Sequence, residues 1–409
     1  MKFLDYLKSE ECWLEFLKSK EESDFAVDKE ITLIKKIIKN KRYLEYYDEI
    51  MDCSFFNEYP KKLELPKPGT NKKRIVYSYK KEKQMILKYI NSFLTKYDYF
   101  FSENLYSFRK HISVKSAIKD LTRFKNEKNY YTYKVDIQSY FNSIDKNLLL
   151  DDLKRNIDDV DLLSFFEHIL NTDKVISHKK IIEENMGAMA GIPISSFFAN
   201  FYLREVDRYF KENNVKYYRY ADDIVIMAKS LDELLEYKNT LIGFLTDKHL
   251  LVNEKKEELY KINEAFDFLG FRIDGHKIDI AYSTLVKIKH KIRLETRKIR
   301  RWMYVKKVNP HSTLKVLNRK FNRKFFGKEN GELSWMYWYF PIINTIESLK
   351  IIDSYYQQEA RFMITGVHNK RNFKKVTYQM LQKSNYKPLV SMYYKFINRE
   401  LEAKEKAKC

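Results

Sequence analysis

The chain has 409 residues with 77 Lys and Arg against 56 Asp and Glu, a formal charge of +21, so it can bury two or three domains and suits a polyanionic partner. Aromatic residues make up 16% of it, which leaves ring faces for stacking bases or sugars among the basic stretches. No apolar run has membrane length, Cys12, Cys53 and Cys409 lie too far apart for a disulfide framework or zinc site, and acids interrupt the N-terminal apolar residues, unlike a secretory signal; together these predict a soluble, cytoplasmic chain with no membrane role.

Up to about residue 60 the spacing of Phe3, Leu4 and Leu7, then Trp13, Leu14, Phe16 and Leu17, predicts helices. They show no chemistry, so packing onto the next domain and an RNA contact both stay open. Leu63 to Asn71 reads as a strand and turn, and Lys72 to Ser78 returns, giving a β-hairpin with a basic tip. Gln84 to Thr95 is helical. Tyr130-Tyr131-Thr132-Tyr133-Lys134-Val135-Asp136-Ile137 is an apolar β-run that carries Asp136 near its end, and Gln138 to Ile144 turns helical. Further on, the runs Tyr217-Tyr218-Arg219-Tyr220 and Ile224-Val225-Ile226-Met227 meet at Ala221-Asp222-Asp223. Successive strand residues face opposite ways, so adjacent carboxylates there are costly unless a cation stands beside them. At a tight turn they can meet divalent ions; an ordinary Asp-rich hairpin turn is the plainer alternative.

The Tyr220-Ala221-Asp222-Asp223 turn resembles the metal-binding hairpin of reverse transcriptases. The stretch from Asp136 to Ile144 resembles that family's first metal motif, an acid at a strand end followed by a helix. The resemblance implies two Mg²⁺ ions, with Mn²⁺ as an alternative, that bridge an attacking 3′-hydroxyl and a triphosphate. Asp136 and Asp222 are the implied bridging ligands, Asp223 is the neighbouring acid, and Ile137 is counted with the metal residues. Lys67 and Arg74 on the hairpin match the pair that holds the incoming deoxynucleoside triphosphate, a role suited to a planar guanidinium fork. Phe141 matches the ring that lies under the sugar and excludes a 2′-hydroxyl. Ser107-Phe108-Arg109 resembles an element between fingers and palm, with Ser107 where Gly is usual and Arg109 as a template-phosphate contact.

Gly187 to Asn200 resembles the next palm motif through Ser195, Ala199 and Asn200. Its usual Gln is missing, and Ala190 or Ile194 takes that place. Leu251-Val252-Asn253-Glu254-Lys255-Lys256 resembles the element near the triphosphate, where Lys255 could protonate pyrophosphate. Phe268-Leu269-Gly270 resembles the turn that steadies the primer end; with Tyr220 and Arg109 these are the implied primer and template contacts. An apolar strand pair explains Phe268 and Leu269 equally well. From Ala281 to Asn330 sixteen Lys or Arg face two acids, Glu295 and Glu329, which suits a basic thumb helix along a duplex.

The chain therefore resembles bacterial retron-type reverse transcriptases, in particular the unknown-group, defence-associated kind. This implies an α/β (α+β) right-hand fold with fingers, a palm built on an antiparallel sheet and an α-helical thumb. The expected division is an N-terminal helical extension at 1–60, fingers and palm at 61–280, and a basic helical thumb and C-terminal region at 281–409. The implied activity is RNA-directed DNA synthesis on an associated noncoding RNA, with deoxynucleotides and a DNA product as the other partners, in antiphage defence. A group II intron maturase-like enzyme, a retron reverse transcriptase and a non-catalytic RNA-binding scaffold are the alternatives. The oligomeric state and the priming group are not legible.

Overall fold

The computed structural model describes residues 2–23, 27–66, 73–123, 130–184, 186–327 and 335–406, and the chain divides into two compact units, Met1–Glu264 and Ala265–Cys409. The tip of the basic hairpin, with Lys67 and Lys72, and Cys409 fall outside the described residues.

The amphipathic spacing at the N-terminus produces helices Glu10–Glu21, Asp28–Lys39 and Arg42–Met51. Their buried faces carry Trp13, Ile34, Ile37, Tyr43 and Tyr46. Trp13 lies flat on Tyr89 of helix Lys81–Phe93, with ring centroids 3.7 Å apart and planes 2° from parallel. Its indole N–H donates to the Leu7 carbonyl at 3.0 Å, so the buried ring leaves no polar atom unpaired. The Tyr89 hydroxyl donates to the Tyr6 carbonyl at 2.7 Å and the Phe3 N–H to Asp159 at 2.7 Å. The extension is thus built into the core of the first unit.

Eleven strands lie among the described residues: β1 (Lys61–Pro66), β2 (Lys73–Ser78), β3 (Tyr131–Asp136), β4 (Lys174–Ser177), β5 (Lys180–Glu183), β6 (Lys216–Tyr220), β7 (Asp223–Ala228), β8 (Glu258–Tyr260), β9 (Phe266–Phe268), β10 (Phe271–Asp274) and β11 (Lys277–Ile280). The sheet ordered β6-β7-β3-β8 is antiparallel throughout. Strands β3 and β7 are its middle members, and helices Arg204–Glu212 and Leu231–Asp247 pack on β6 and β7. That position explains why β3 and β7 read as nearly continuous apolar runs.

A second sheet, ordered β2-β1-β4-β5, holds the basic hairpin. The Gly187–Asn200 segment ties it down: the Tyr77 N–H donates to the Ala190 carbonyl at 2.7 Å and the Gln84 amide to the Gly191 carbonyl at 2.9 Å. Gly191 has φ +103°, and a Cβ there would stand 2.7 Å from the Tyr77 carbonyl; only glycine permits this approach. Ile194 is wholly buried and acts as core.

The second unit begins with the antiparallel meander β9-β10-β11. This meander is held by Phe271 against Tyr339, centroids 5.1 Å apart, and by the Asn344 N–H on the Ile278 carbonyl at 3.0 Å. The division between the two units falls after Glu264. Helix Tyr282–Lys306 buries Leu285, Ile288, Ile292, Ile299 and Met303 and exposes Lys287, Lys291, Arg293, Arg297, Lys298 and Arg301. Among the described residues, no helix is long and apolar enough to cross a membrane.

Candidate active site

Register brings the carboxylates together. Antiparallel pairing of β3 with β7 sets Asp136 opposite Asp223, and the β6–β7 hairpin pairs Tyr220 with Asp223, leaving Ala221 and Asp222 as the turn. The Ile137 N–H donates to the Asp222 carbonyl at 3.0 Å, the Gln138 N–H to the Leu251 carbonyl at 2.8 Å, and the Asn253 N–H to the Asp136 carbonyl at 2.8 Å. The chain after Asp136 is therefore sewn on one side to the Asp222 turn and on the other to the Leu251–Asn253 segment. Ile137 is fully buried and brings no side-chain donor.

The electrostatics follow from this crowding. Burial, then the Asp136 charge, pushes the Asp222 carboxyl above its ordinary range; Lys256 and Arg74 pull the other way. Burial, then Asp222 and Asp136, pushes Asp223 up to about 6. Asp136 itself is buried and meets Lys256 Nζ at 2.5 Å through Oδ2 and Asn253 Nδ2 at 3.2 Å through Oδ1. Three acids on adjacent strand ends with so little cationic compensation fit a divalent ion, whose hard-oxygen demand carboxylates meet. Among the described residues, no three His, Cys, Asp or Glu side chains are drawn into a ready-made ligand cluster; the Asp136 carboxylate is turned to the Lys256 ammonium instead.

The other expected site residues divide. Arg74, exposed on β2, acts electrostatically on Asp222, so the basic hairpin and the acids share one region. Lys67 lies outside the described residues. Phe141 is half-buried, edge-on to Tyr140 at 5.9 Å and to Phe108 at 6.0 Å. Its carbonyl accepts the Ala188 N–H at 2.7 Å, and a Cβ at Gly187 would come within 2.6 Å of that carbonyl. Lys255 is exposed, and the amine that reaches the acids belongs to its neighbour Lys256. Arg109 turns inward, donating to the Ser102 carbonyl at 3.0 Å and lying 3.5 Å from Asp98, while Phe108 takes the surface. Tyr220 is half-buried at the end of β6. Phe268, Leu269 and Gly270 form the β9–β10 turn of the second unit, with Phe268 buried.

Beneath the Asp222 turn lies a polar platform that the sequence reading did not assign. Arg219, fully buried, grips Asp207 through Nε–Oδ1 at 2.7 Å and Nη2–Oδ2 at 2.5 Å. Burial lowers the Arg219 proton affinity, but Asp207 outweighs it and holds the guanidinium protonated. Tyr217 donates to Asp207 at 3.0 Å. An arginine inside an apolar strand run was the one available signal, since such a charge needs a buried partner.

A family model described as reverse transcriptase (RNA-dependent DNA polymerase) matches residues 65–273. Among curated proteins the chain is similar to the retron Ec83 reverse transcriptase of Escherichia coli, 28% identical over 138 residues, 32% of this chain and 44% of that protein. It is also similar to protein YkfC of Escherichia coli strain K12, 25% identical over 211 residues, 41% of this chain and 54% of that protein. The chain thus spans about half the length of the curated relatives it matches. Among solved structures it is similar to the apo telomerase of Candida tropicalis, with a TM-score of 0.44 and 12% identity, covering 80% of this chain and 67% of that one. The matched span includes β3, β6 and β7, and the α/β right-hand polymerase fold expected from the motifs is the fold of this chain.

Proposed function

The chain belongs to the reverse transcriptase family, and from that premise we propose that it is an RNA-directed DNA polymerase that extends a primer with deoxynucleotides. The observation that carries this reading is the register that sets Asp136 beside Asp223 with Asp222 at the adjoining turn. Asp136, Asp222 and Asp223 are the residues that would hold divalent ions. Such ions, when bound, activate the 3′-hydroxyl and neutralise the triphosphate in a displacement at phosphorus. Arg74, exposed on β2 and felt electrostatically by Asp222, is the residue whose fork would take triphosphate oxygens in bidentate fashion. Lys256 Nζ balances Asp136 before substrate arrives and keeps an N–H donor at the acids. Phe141, packed between Tyr140 and Phe108, offers a fixed ring edge against which a ribose 2′-hydroxyl would clash.

Primer extension on an RNA template tests this directly. Asp136→Asn and Asp222→Asn each reduce DNA synthesis by at least about a thousandfold, a loss expected when transition-state charge stabilisation is removed, while RNA binding persists. Full activity in either variant sinks the assignment and leaves a basic RNA-binding scaffold. In the same assay Phe141→Ala admits ribonucleotides; unchanged discrimination removes the gate.

The finer reading is a defence-associated enzyme copying a dedicated noncoding RNA. It rests on the motif resemblance and on a charge of +21 suited to a structured RNA partner. The similarity to a retron reverse transcriptase favours a retron enzyme as the second reading. Sequencing the nucleic acids that co-purify separates them: one discrete RNA with its complementary DNA supports the first, a branched RNA–DNA molecule the second, and a random mixture neither. Equal phage plating on cells expressing wild type and Asp222→Asn would remove the defence role.

A further inference from the structure

We infer that Ser107 is a positioning residue for the carboxylate turn, holding Ala221 in a left-handed conformation so that Asp222 and Asp223 present together; this rests on the polymerase reading above. Ala221 has φ +57°, which costs a non-glycine residue about 1 kcal/mol or more, so something outside the turn must fix it. Both of its peptide groups are held. The Ala221 N–H donates to the Ser107 hydroxyl at 2.9 Å, and the Ala221 carbonyl accepts from Arg219 Nη1 at 3.3 Å.

Ser107 is itself locked. It is fully buried, its hydroxyl donates to Asn200 Oδ1 at 3.2 Å, and its carbonyl accepts from Asn200 Nδ2 at 2.9 Å. Asn200 is held in turn, since its carbonyl accepts from Arg219 Nη2 at 3.3 Å. The segment before Ser107 runs alongside β6: the Arg219 N–H donates to the Asn104 carbonyl at 3.0 Å and the Tyr106 N–H to the Arg219 carbonyl at 2.9 Å. The Ser107 hydroxyl therefore joins the turn to the buried platform, accepting from Ala221 and donating to Asn200. A glycine or alanine at this position supplies no acceptor for the Ala221 N–H.

The same element reaches the proposed sugar gate. Phe108, also left-handed with φ +57°, projects beside Phe141 at 6.0 Å. One residue step thus separates the hydroxyl that fixes the acid turn from the ring that flanks Phe141. Ser107 couples the spacing of the acids to the wall of the nucleotide site.

The test compares Ser107→Ala, which deletes the hydroxyl, Ser107→Cys, which fills a similar volume with a poor acceptor, and Ser107→Thr, which keeps it. Four quantities are measured: Mg²⁺ concentration at half-maximal primer extension, Mn²⁺ affinity by isothermal titration, primer–template affinity, and the melting temperature. Ser107→Ala and Ser107→Cys are expected to raise the half-saturating Mg²⁺ about tenfold, in line with an orphaned buried N–H. Mn²⁺ affinity falls in parallel, primer–template affinity is unchanged, and Ser107→Thr restores metal affinity. Ser107→Cys serves where Ser107→Ala does not fold. If both variants keep wild-type Mg²⁺ and Mn²⁺ responses, even with a lower melting temperature, Ser107 is merely structural and the inference is overturned. A wild-type chain that binds Mn²⁺ yet never extends a primer overturns the polymerase reading instead, and the titration still judges Ser107.

Discussion

Two hairpins with two-residue turns, one in each unit, solve the same steric problem differently. In β6–β7 the turn is Ala221-Asp222, and in β9–β10 it is Leu269-Gly270. Each begins with a non-glycine residue at positive φ, +57° at Ala221 and +51° at Leu269. The second hairpin follows with Gly270 at φ +86°, and positive φ at both turn positions matches the twist of the flanking strands. The first has Asp222 in its second position, where the proposed reading needs a carboxylate and glycine would supply none. Its conformational support has moved off the turn, into Ser107, Asn200 and the buried Arg219–Asp207 pair. A turn that carries chemistry is held by its surroundings; a turn that only connects strands can be held by its own residues.

The largest effect should come from removing that outside support. Arg219→Met leaves Asp207 buried without its partner, and breaking a buried ion pair typically costs about 3–5 kcal/mol. Urea unfolding should show this loss, and the double variant Arg219→Met with Asp207→Leu should recover much of it. A cost below about 1 kcal/mol for Arg219→Met would mean that the platform is incidental and the contrast between the hairpins empty.

The same contrast explains what could be read from the sequence. Both carboxylate motifs, the hairpins and the helical spacing of Trp13 or Ile288 were legible, because strand and helix periods expose themselves within a few residues. The support was not. Arg219 in an apolar run announces that a buried anion exists, but nothing local selects Asp207, and only the fold sets Ser107 under Ala221. Lys255 and Lys256 are adjacent amines that differ in the face they present, and the short turn at Glu254–Lys256 decides in favour of Lys256. Arg109 resembled a phosphate contact by type, yet the carbonyls of Ser102 and Leu105 and the Asp98 carboxylate claim it.

A second effect of similar order is electrostatic and belongs to the β6–β7 hairpin alone. Asp223 is raised from the ordinary 3.8 to about 6, a shift worth about 3 kcal/mol. Because the folded protein holds this proton more tightly than the unfolded chain, the contribution to stability is full below about pH 4. It is lost as pH rises through about 6. In metal-free buffer the stability advantage of Asp223→Asn over wild type should therefore be near zero at pH 4 and grow to pH 7. A difference independent of pH would show that Asp223 is not crowded by Asp222 and Asp136. In saturating Mg²⁺ the advantage should shrink, since ion binding favours the charged form.

The smallest effect is also the most discriminating. Ala221→Gly and Leu269→Gly each relieve a left-handed conformation, and each adds the entropy cost of a glycine. The two terms nearly cancel, so both variants should stay within about 1 kcal/mol of wild type and move alike. Function should not move alike. Glycine keeps the backbone hydrogen bonds to Ser107 and Arg219 but widens the backbone range around them. Asp222 and Asp223 are then presented less uniformly, and half-saturating Mg²⁺ should rise severalfold. Leu269→Gly leaves the acids untouched and should leave that value unchanged, whatever it does to primer affinity. If Leu269→Gly shifts the Mg²⁺ requirement as far as Ala221→Gly does, the left-handed Ala221 has no special bearing on the metal ligands. The two hairpins then differ only in what their side chains decorate.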